Sequence, residues 1–445
     1  MAASEDKKLK VLIMSQAVLD KSNSAGSTFS NFFHGMDGVE LASLYFGYGE
    51  PNTDLEMSCF QVNEKSLLRH LLNKNVPSGR VVVQGKTDAV SMNGSEKKSF
   101  DFMRTIRWQV FFWARELIWK LISPQSPELD GFIKNFEPDV IMLSANDTCF
   151  VSRECRGLSK RYGLPICAFI GDDIYSLRRV SFSPLFWIDR LIKRASHRKL
   201  VKKCSKLFVM TDMAKAEFDR AFKTDCALLT KSLDFEDEPR AYEERGGDVI
   251  RFVYTGNLYA GRWKSLAALG RTLQRLNDEN ACAEGKSAEL VIYSMTPMTK
   301  RMTSALNIPS VRFMGGVPAS EIPSIQQGAD VLVHAESMSK KEMLIVRLSF
   351  STKLVDYMHV PRCILAIGPR EQASMDHLIV NDAAVAVTDE AEMYEKVREL
   401  AADPKLIKEY ALKAWRCGAE HHNRSTVQKR LYDELKSAAE AGVKK

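Results

Sequence analysis

Between positions 347 and 357 the chain reads RLSFSTKLVDY, which places Ser349, Ser351, Thr352, Lys353 and Asp356 in one short window before the apolar run Cys363–Ile367. Small hydroxyl residues at a loop-to-helix junction let backbone N–H groups approach a phosphate, and the helix start favours its negative charge. Lys353 neutralises such a charge, and Asp356, one turn on, accepts hydrogen bonds from ribose hydroxyls. The window is expected to cradle a nucleotide diphosphate; the same residues also suit a capped helix with a solvated Lys and Asp. Three other places carry chemistry. Gly171-Asp172-Asp173 follows an apolar run, where the aspartates serve as ligands or as a helix N-cap. His334 and Glu336 lie just past the expected strand at residues 330–333, and Gly26, Ser27 and Thr28 follow the first strand. No Asp-x-Asp metal motif stands at a strand end, and adjacent His421 and His422 do not share a helix face.

The elements that must position these residues follow from hydrophobic periodicity. Strands are expected at residues 10–15, 40–46 and 206–211 and in the continuous apolar runs 139–144 and 164–170; such runs, alternating with helical segments, are the signature of a parallel sheet covered on both faces. A polar loop at 20–28 leads to a helix near Phe29, residues 99–122 are helical, and Asp212 is expected to cap the helix 213–221. After the acidic stretch 234–248 the pattern restarts, with strands at 250–255, 288–293, 311–314, 330–334 and 363–367. The fold class is α/β, with two Rossmann-like doubly wound domains facing a cleft. Residues 1–235 and 236–420 are expected to form the two domains, with 421–445 a helix that can cross back to the first. Ligands in such sheets sit at the carboxyl ends of the strands.

The 445 residues suffice for two or three cores, and a net charge of +7 is modest. Nine unpatterned cysteines point to reduced thiols in a cytoplasmic protein rather than a disulfide framework or a zinc site. The first apolar run is expected to be a strand and not a signal peptide, and no apolar run is long enough to cross a bilayer.

In the second half, the succession TGNLYAGR, LVIYS, VRFMGGVPASEIPSIQQGADVLVH and RLSFSTKLVDYMHVPRCILAIGP resembles the donor domain of GT-B glycosyltransferases. It is most similar to the large group 1-like bacterial family that uses nucleotide-diphosphate sugars and retains anomeric configuration. The resemblance implies that Gly256 makes the tight turn near the diphosphate. It implies that Gly315, Gly316 and Val317 hold the base, Asp356 the ribose, and the backbone from Ser349 to Thr352 the phosphates. Asn257 stands where the family often has Arg, and Arg262, with Lys264 close by, falls near its Lys. Leu348 occupies the place of the first of two paired glutamates, leaving Arg347, Glu336 or Glu342 to fill that space.

Transfer from a sugar nucleotide leaves charge on the departing diphosphate, so cations aimed at it are the main catalytic device. Arg262, Lys264 and Lys353 suit that role, and no metal or cofactor is implied; Asp172 or Asp173 is expected as an acceptor-side or donor-sugar ligand, and the resemblance makes residues 1–235 the acceptor-binding domain and 236–420 the donor-binding one. His334 and Glu336 are placed to meet the donor sugar, and Gly26, Ser27 and Thr28 the acceptor side. Residues 104–122 carry three tryptophans among basic residues, and residues 178–206 hold ten Lys or Arg against one acid, Asp189. Basic aromatic helices lie at anionic membrane surfaces; a buried core helix and a solvated face are the plainer alternatives. The expected partners are a UDP- or GDP-sugar, a lipid-linked or glycan acceptor and an anionic membrane surface, with no nucleic acid. The expected location is the inner face of a membrane. A sugar-nucleotide 2-epimerase and an inactive sugar-nucleotide or glycan binder remain alternatives.

Overall fold

The structure is a computed structural model that describes residues 7–21, 24–73, 75–82, 109–122, 124–145, 148–238, 242 and 244–443. Runs of apolar residues become strands buried on both faces. The first sheet contains β1 (Leu9–Ser15), β2 (Val39–Tyr45), β3 (Met57–Val62), β4 (Gly79–Val82), β5 (Val140–Ser144), β6 (Ile166–Ile170), β7 (Cys204–Val209) and β8 (Ala227–Leu228). Their order is β4-β3-β2-β1-β5-β6-β7-β8, parallel except where edge strand β4 meets β3. Alternation sends Leu12 and Met14 to one face and Leu9, Val11 and Ile13 to the other. The helices that matter below are α1 (Ser24–Phe33), α2 (Glu64–Leu72), α3 (Gln109–Leu121), α4 (Cys149–Tyr162), α5 (Pro184–Val201) and α6 (Asp212–Phe222).

The second sheet is wholly parallel: β9 (Val249–Thr255), β10 (Ser287–Tyr293), β11 (Val311–Gly315), β12 (Val331–Ala335), β13 (Cys363–Ile367) and β14 (Val385–Val387), ordered β11-β10-β9-β12-β13-β14. Helices α7 (Arg262–Asp278), α8 (Lys353–His359), α9 (Pro404–His421) and α10 (Arg424–Val443) complete the parts used here. α10 returns to the first domain, where Val427, Leu431 and Leu435 join Val11 and Phe32 in its core. The two crossings of the chain lie side by side, with Leu233 bridged to Asn423.

Local readings shift in three places. Gly26, Ser27 and Thr28, expected in a loop, lie in the first turns of α1, because Gly26 packs so closely on the Asp20 backbone that a Cβ there would sit 2.5 Å from Asp20 N. The cap of α6 is Thr211 and not Asp212: the Thr211 side chain accepts from Ala214 N. Neither Asp172 nor Asp173 caps a helix; the next one, α5, is capped by Ser183. Residues 99–108 of the expected long helix lie outside the described residues.

Candidate functional site

In the second sheet the strand order reverses between β9 and β12, and a crevice opens where such a reversal occurs. Gly256 follows β9, Arg262 opens α7, Glu336 follows β12 and Lys353 opens α8. These four residues meet there. Arg262 grips Glu336 with two parallel bonds, Nε to Oε2 at 3.1 Å and Nη2 to Oε1 at 2.9 Å, and donates from Nη1 to Asn257 Oδ1 at 2.8 Å. Glu336 is fixed through its backbone: its N–H donates to Ile367 O at 2.7 Å and its carbonyl accepts from Ser265 Oγ at 2.6 Å. Bidentate geometry of this kind holds a guanidinium in one orientation. Burial works against the Arg262 charge, but Glu336 holds its pKa above the ordinary value.

Lys353 Nζ donates to Thr255 O at 3.3 Å and stands 3.9 Å over the Tyr254 ring. Tyr357, whose hydroxyl lies 3.0 Å from Thr255 Oγ1, forms the other wall. Burial, and after it the nearby Arg262 charge, push the Lys353 pKa down to about 7, with Glu336 opposing. The ammonium is therefore a cation short of counter-charge. Gly256, at φ +155°, makes room for it, since a Cβ would lie 3.0 Å from Lys353 Nζ.

His334 and Glu336 are buried beneath these cations rather than open to the cleft. Burial, then Lys353 and Arg262, drive the His334 pKa well below its ordinary value, so the ring is neutral. Its Nε2 lies 3.8 Å from Glu336 Oε1, beyond hydrogen-bond length. Expected as donor-sugar contacts, the two residues instead take supporting places. Lys264 binds both oxygens of Glu342 at 2.8 and 2.9 Å, and Ser337 Oγ donates to Glu342 Oε2 at 2.6 Å. Lys264 and Glu342 thus brace the turn before α7. The loop to α8 is pinned as well: Gln372 Nε2 donates to Ser349 O at 2.9 Å and Ser351 N to Ser374 Oγ at 2.9 Å. Thr352 precedes α8 without a side-chain capping bond. Gly315, Gly316 and Val317 close β11, two strands from β9, which is roughly 10 Å at ordinary strand spacing.

The first domain reaches this loop at several points. Ser349 Oγ donates to Asp172 Oδ1 at 2.5 Å, and Arg347 pairs with Glu217 of α6 at 2.5 Å. Asp173 is fully buried and accepts from Ser176 N at 2.8 Å and Arg190 Nη2 at 3.1 Å, with Arg347 3.7 Å away. No ligand reaches it in this arrangement, so the expected ligand role gives way to an interdomain ion pair. Leu348, in the place of the family's first glutamate, is buried in the first domain's core. Tyr254, Tyr357, Ser265 and Lys231 were not singled out from the sequence; only the tyrosines carried a signal, as polar-tipped aromatics in apolar runs.

Residues 250–403 match the family model described as glycosyl transferases group 1. No curated protein matches the chain. Among solved structures, Anabaena HepE in complex with UDP aligns with a TM-score of 0.62 at 12% identity, covering 96% of this chain and 100% of that one. Sucrose-phosphate synthase from Thermosynechococcus elongatus aligns at 0.59 and 11% identity over 97% and 100%. A UDP-forming α,α-trehalose-phosphate synthase from Burkholderia xenovorans aligns at 0.55 and 11% identity over 96% and 100%. At such identities the structures speak for the fold, and the family match for the second domain. With two Rossmann-like domains, the second of which matches the group 1 model over residues 250–403, the chain has the GT-B fold and a second domain similar to those of group 1 glycosyl transferases.

Proposed function

We propose that the protein transfers a sugar from a UDP- or GDP-sugar to a lipid-linked or growing glycan at a membrane surface, with retention and without a metal. The observation that carries the donor half is the pair of cations at the switch point, Arg262 held by Glu336 and Lys353 held over Tyr254. A departing diphosphate gains charge as the glycosidic bond breaks, and two pre-positioned cations stabilise that charge more than the ground state. Asp356 binds the ribose, the backbone from Ser349 to Thr352 the phosphates, and the Gly315-Gly316-Val317 turn the base. The similar HepE structures, described with UDP and with UDP-glucose, support a nucleotide-sugar donor.

The membrane half rests on the first domain. α2, α3 and α5 lie side by side. They and the loop before α5 expose Leu72 (88%), Leu121 (73%) and Phe182 (96%), together with Leu117, Leu185, Ile188 and Leu191. Lys120, Lys199, Lys202 and Lys203 are exposed on the same helices or just after α5. Trp119, by contrast, is core, stacked 4.4 Å from Phe150, and Arg194 and Arg198 are turned onto Tyr175. The apolar side chains, more than the tryptophans, form the face that suits an interface. Among the described residues no helix is long and apolar enough to span a membrane.

A second reading, an inactive sugar-nucleotide binder, is favoured by one observation: Leu348 is spent on interdomain packing where the family carries a glutamate. Slow release of free sugar from UDP- or GDP-sugars decides between them. The enzyme releases sugar, with or without excess chelator, and a binder shows a thermal shift with nucleotide but no release. Release abolished by chelator and restored by magnesium would refute metal independence.

A further inference from the structure

Three carboxylates lie near the cations of the cleft, and they are held differently. Glu336 is gripped through both oxygens by Arg262, and Glu342 through both by Lys264 and Ser337. Asp356 is held through one: Lys231 Nζ donates to Oδ1 at 2.5 Å, and among the described residues no hydrogen bond reaches Oδ2. Lys231 belongs to neither sheet. It sits on the segment that carries the chain from the first domain to the second, and its backbone neighbours are tied to both crossings. Ser232 exchanges two bonds with the Asn31 side chain of α1, at 2.8 and 2.9 Å. Leu233 N donates to His422 O at 3.0 Å, and Arg424 N donates to Leu233 O at 2.9 Å. The ammonium is thus delivered from a fixed point, with its side chain only 17% exposed against 35% for Asp356. A charge-assisted bond from a fixed donor sets the orientation of a short carboxylate that otherwise rotates.

Resting on the donor-site reading above, we propose that Lys231 is a positioning residue of the nucleotide site: from the interdomain crossing it holds Asp356 Oδ1 so that Oδ2 accepts from the ribose hydroxyls of a nucleoside diphosphate. Ribose recognition is then tied to the crossing itself, and a change in the relative placement of the domains alters affinity for the nucleoside without touching the diphosphate cradle.

Calorimetry on the full chain tests this, with UDP or GDP, whichever gives the larger thermal shift, and with inorganic pyrophosphate as the ribose-free probe. Lys231→Met weakens nucleoside diphosphate binding about tenfold and pyrophosphate binding no more than about twofold. Lys231→Arg, which keeps the charge, restores most of the loss. Adding Asp356→Asn to Lys231→Met costs far less than Asp356→Asn alone, because the two act as a unit. Unchanged nucleoside diphosphate affinity in Lys231→Met, losses that multiply, or an equal loss for pyrophosphate overturns the proposal. Lys353→Ala is the control for the site: if it weakens both probes, only the Lys231 proposal falls with those outcomes. If it weakens neither, the donor-site reading falls as well.

Discussion

Lys353 is where the cost and the use of this site meet in one residue. A lysine whose pKa is pushed down to about 7 by burial and by Arg262 binds fewer protons folded than unfolded over the interval from there to its ordinary value near 10.5. Stability therefore rises with pH across that interval, since the unfolded chain holds the extra proton. Lys353→Met removes this dependence, so it stabilises the protein near pH 7 and loses that advantage toward pH 10; parallel denaturant unfolding curves check it. A diphosphate reverses the balance by favouring the charged form. Binding near pH 8 is expected to take up protons, visible as an observed enthalpy that varies with the ionisation enthalpy of the buffer. Lys353→Ala abolishes the uptake and weakens binding by about 1.5–3 kcal/mol. Uptake that persists in that variant assigns it to another group.

At the scale of elements, the turn between β9 and α7 matters most, because it sets both Arg262 and Lys264. Gly261 caps α7 at φ +78°, and a Cβ there would overlap the Glu342 carboxylate and lie 2.7 Å from Ser337 Oγ. Gly163, at the end of α4, has a similar φ of +71° with nothing within 4 Å of such a Cβ. The backbone cost is shared, about 1 kcal/mol, while the collision belongs to Gly261 alone. Gly261→Ala should lose about 1–3 kcal/mol more than Gly163→Ala, and should also weaken nucleotide binding by displacing Glu342 and Lys264. Urea unfolding of the two variants measures the difference; equal losses would show that Glu342 moves aside freely.

At the scale of the whole molecule, two surfaces of the first domain do different work. One meets the second domain through Arg347–Glu217, Ser349–Asp172 and Leu348. The other, on α2, α3 and α5, is left open and apolar with lysines beside it. If that face meets lipid, Leu72→Ser, Leu121→Ser and Phe182→Ser together should greatly reduce co-sedimentation with phosphatidylserine vesicles while leaving the melting temperature unchanged, since all three side chains are exposed. High salt should lower wild-type binding only in part, because screening weakens the lysines and not the apolar contact. Wild type that ignores such vesicles would turn the acceptor toward a soluble glycan.

What the sequence by itself determined was local. Period-2 and continuous apolar runs mark β1, β5, β6, β9 and β12, because strand burial is written in neighbouring residues. The same holds for the window from Ser349 to Asp356, whose residue types are adjacent in the chain. Short or polar elements escaped: β3 carries Ser58 and Gln61, and β8 has two residues. The start of α1 depended on a backbone contact between Gly26 and Asp20 that no periodicity contains. Tertiary structure alone decided which charges meet. Arg262 finds Glu336, Lys231 finds Asp356 and Arg347 finds Glu217 across long stretches of chain. Those pairings depend on strand order and on how two sheets face each other. It likewise decided that Asp173 and His334 are buried and Asp172 is not, since adjacent residues in a loop share a composition but not an environment.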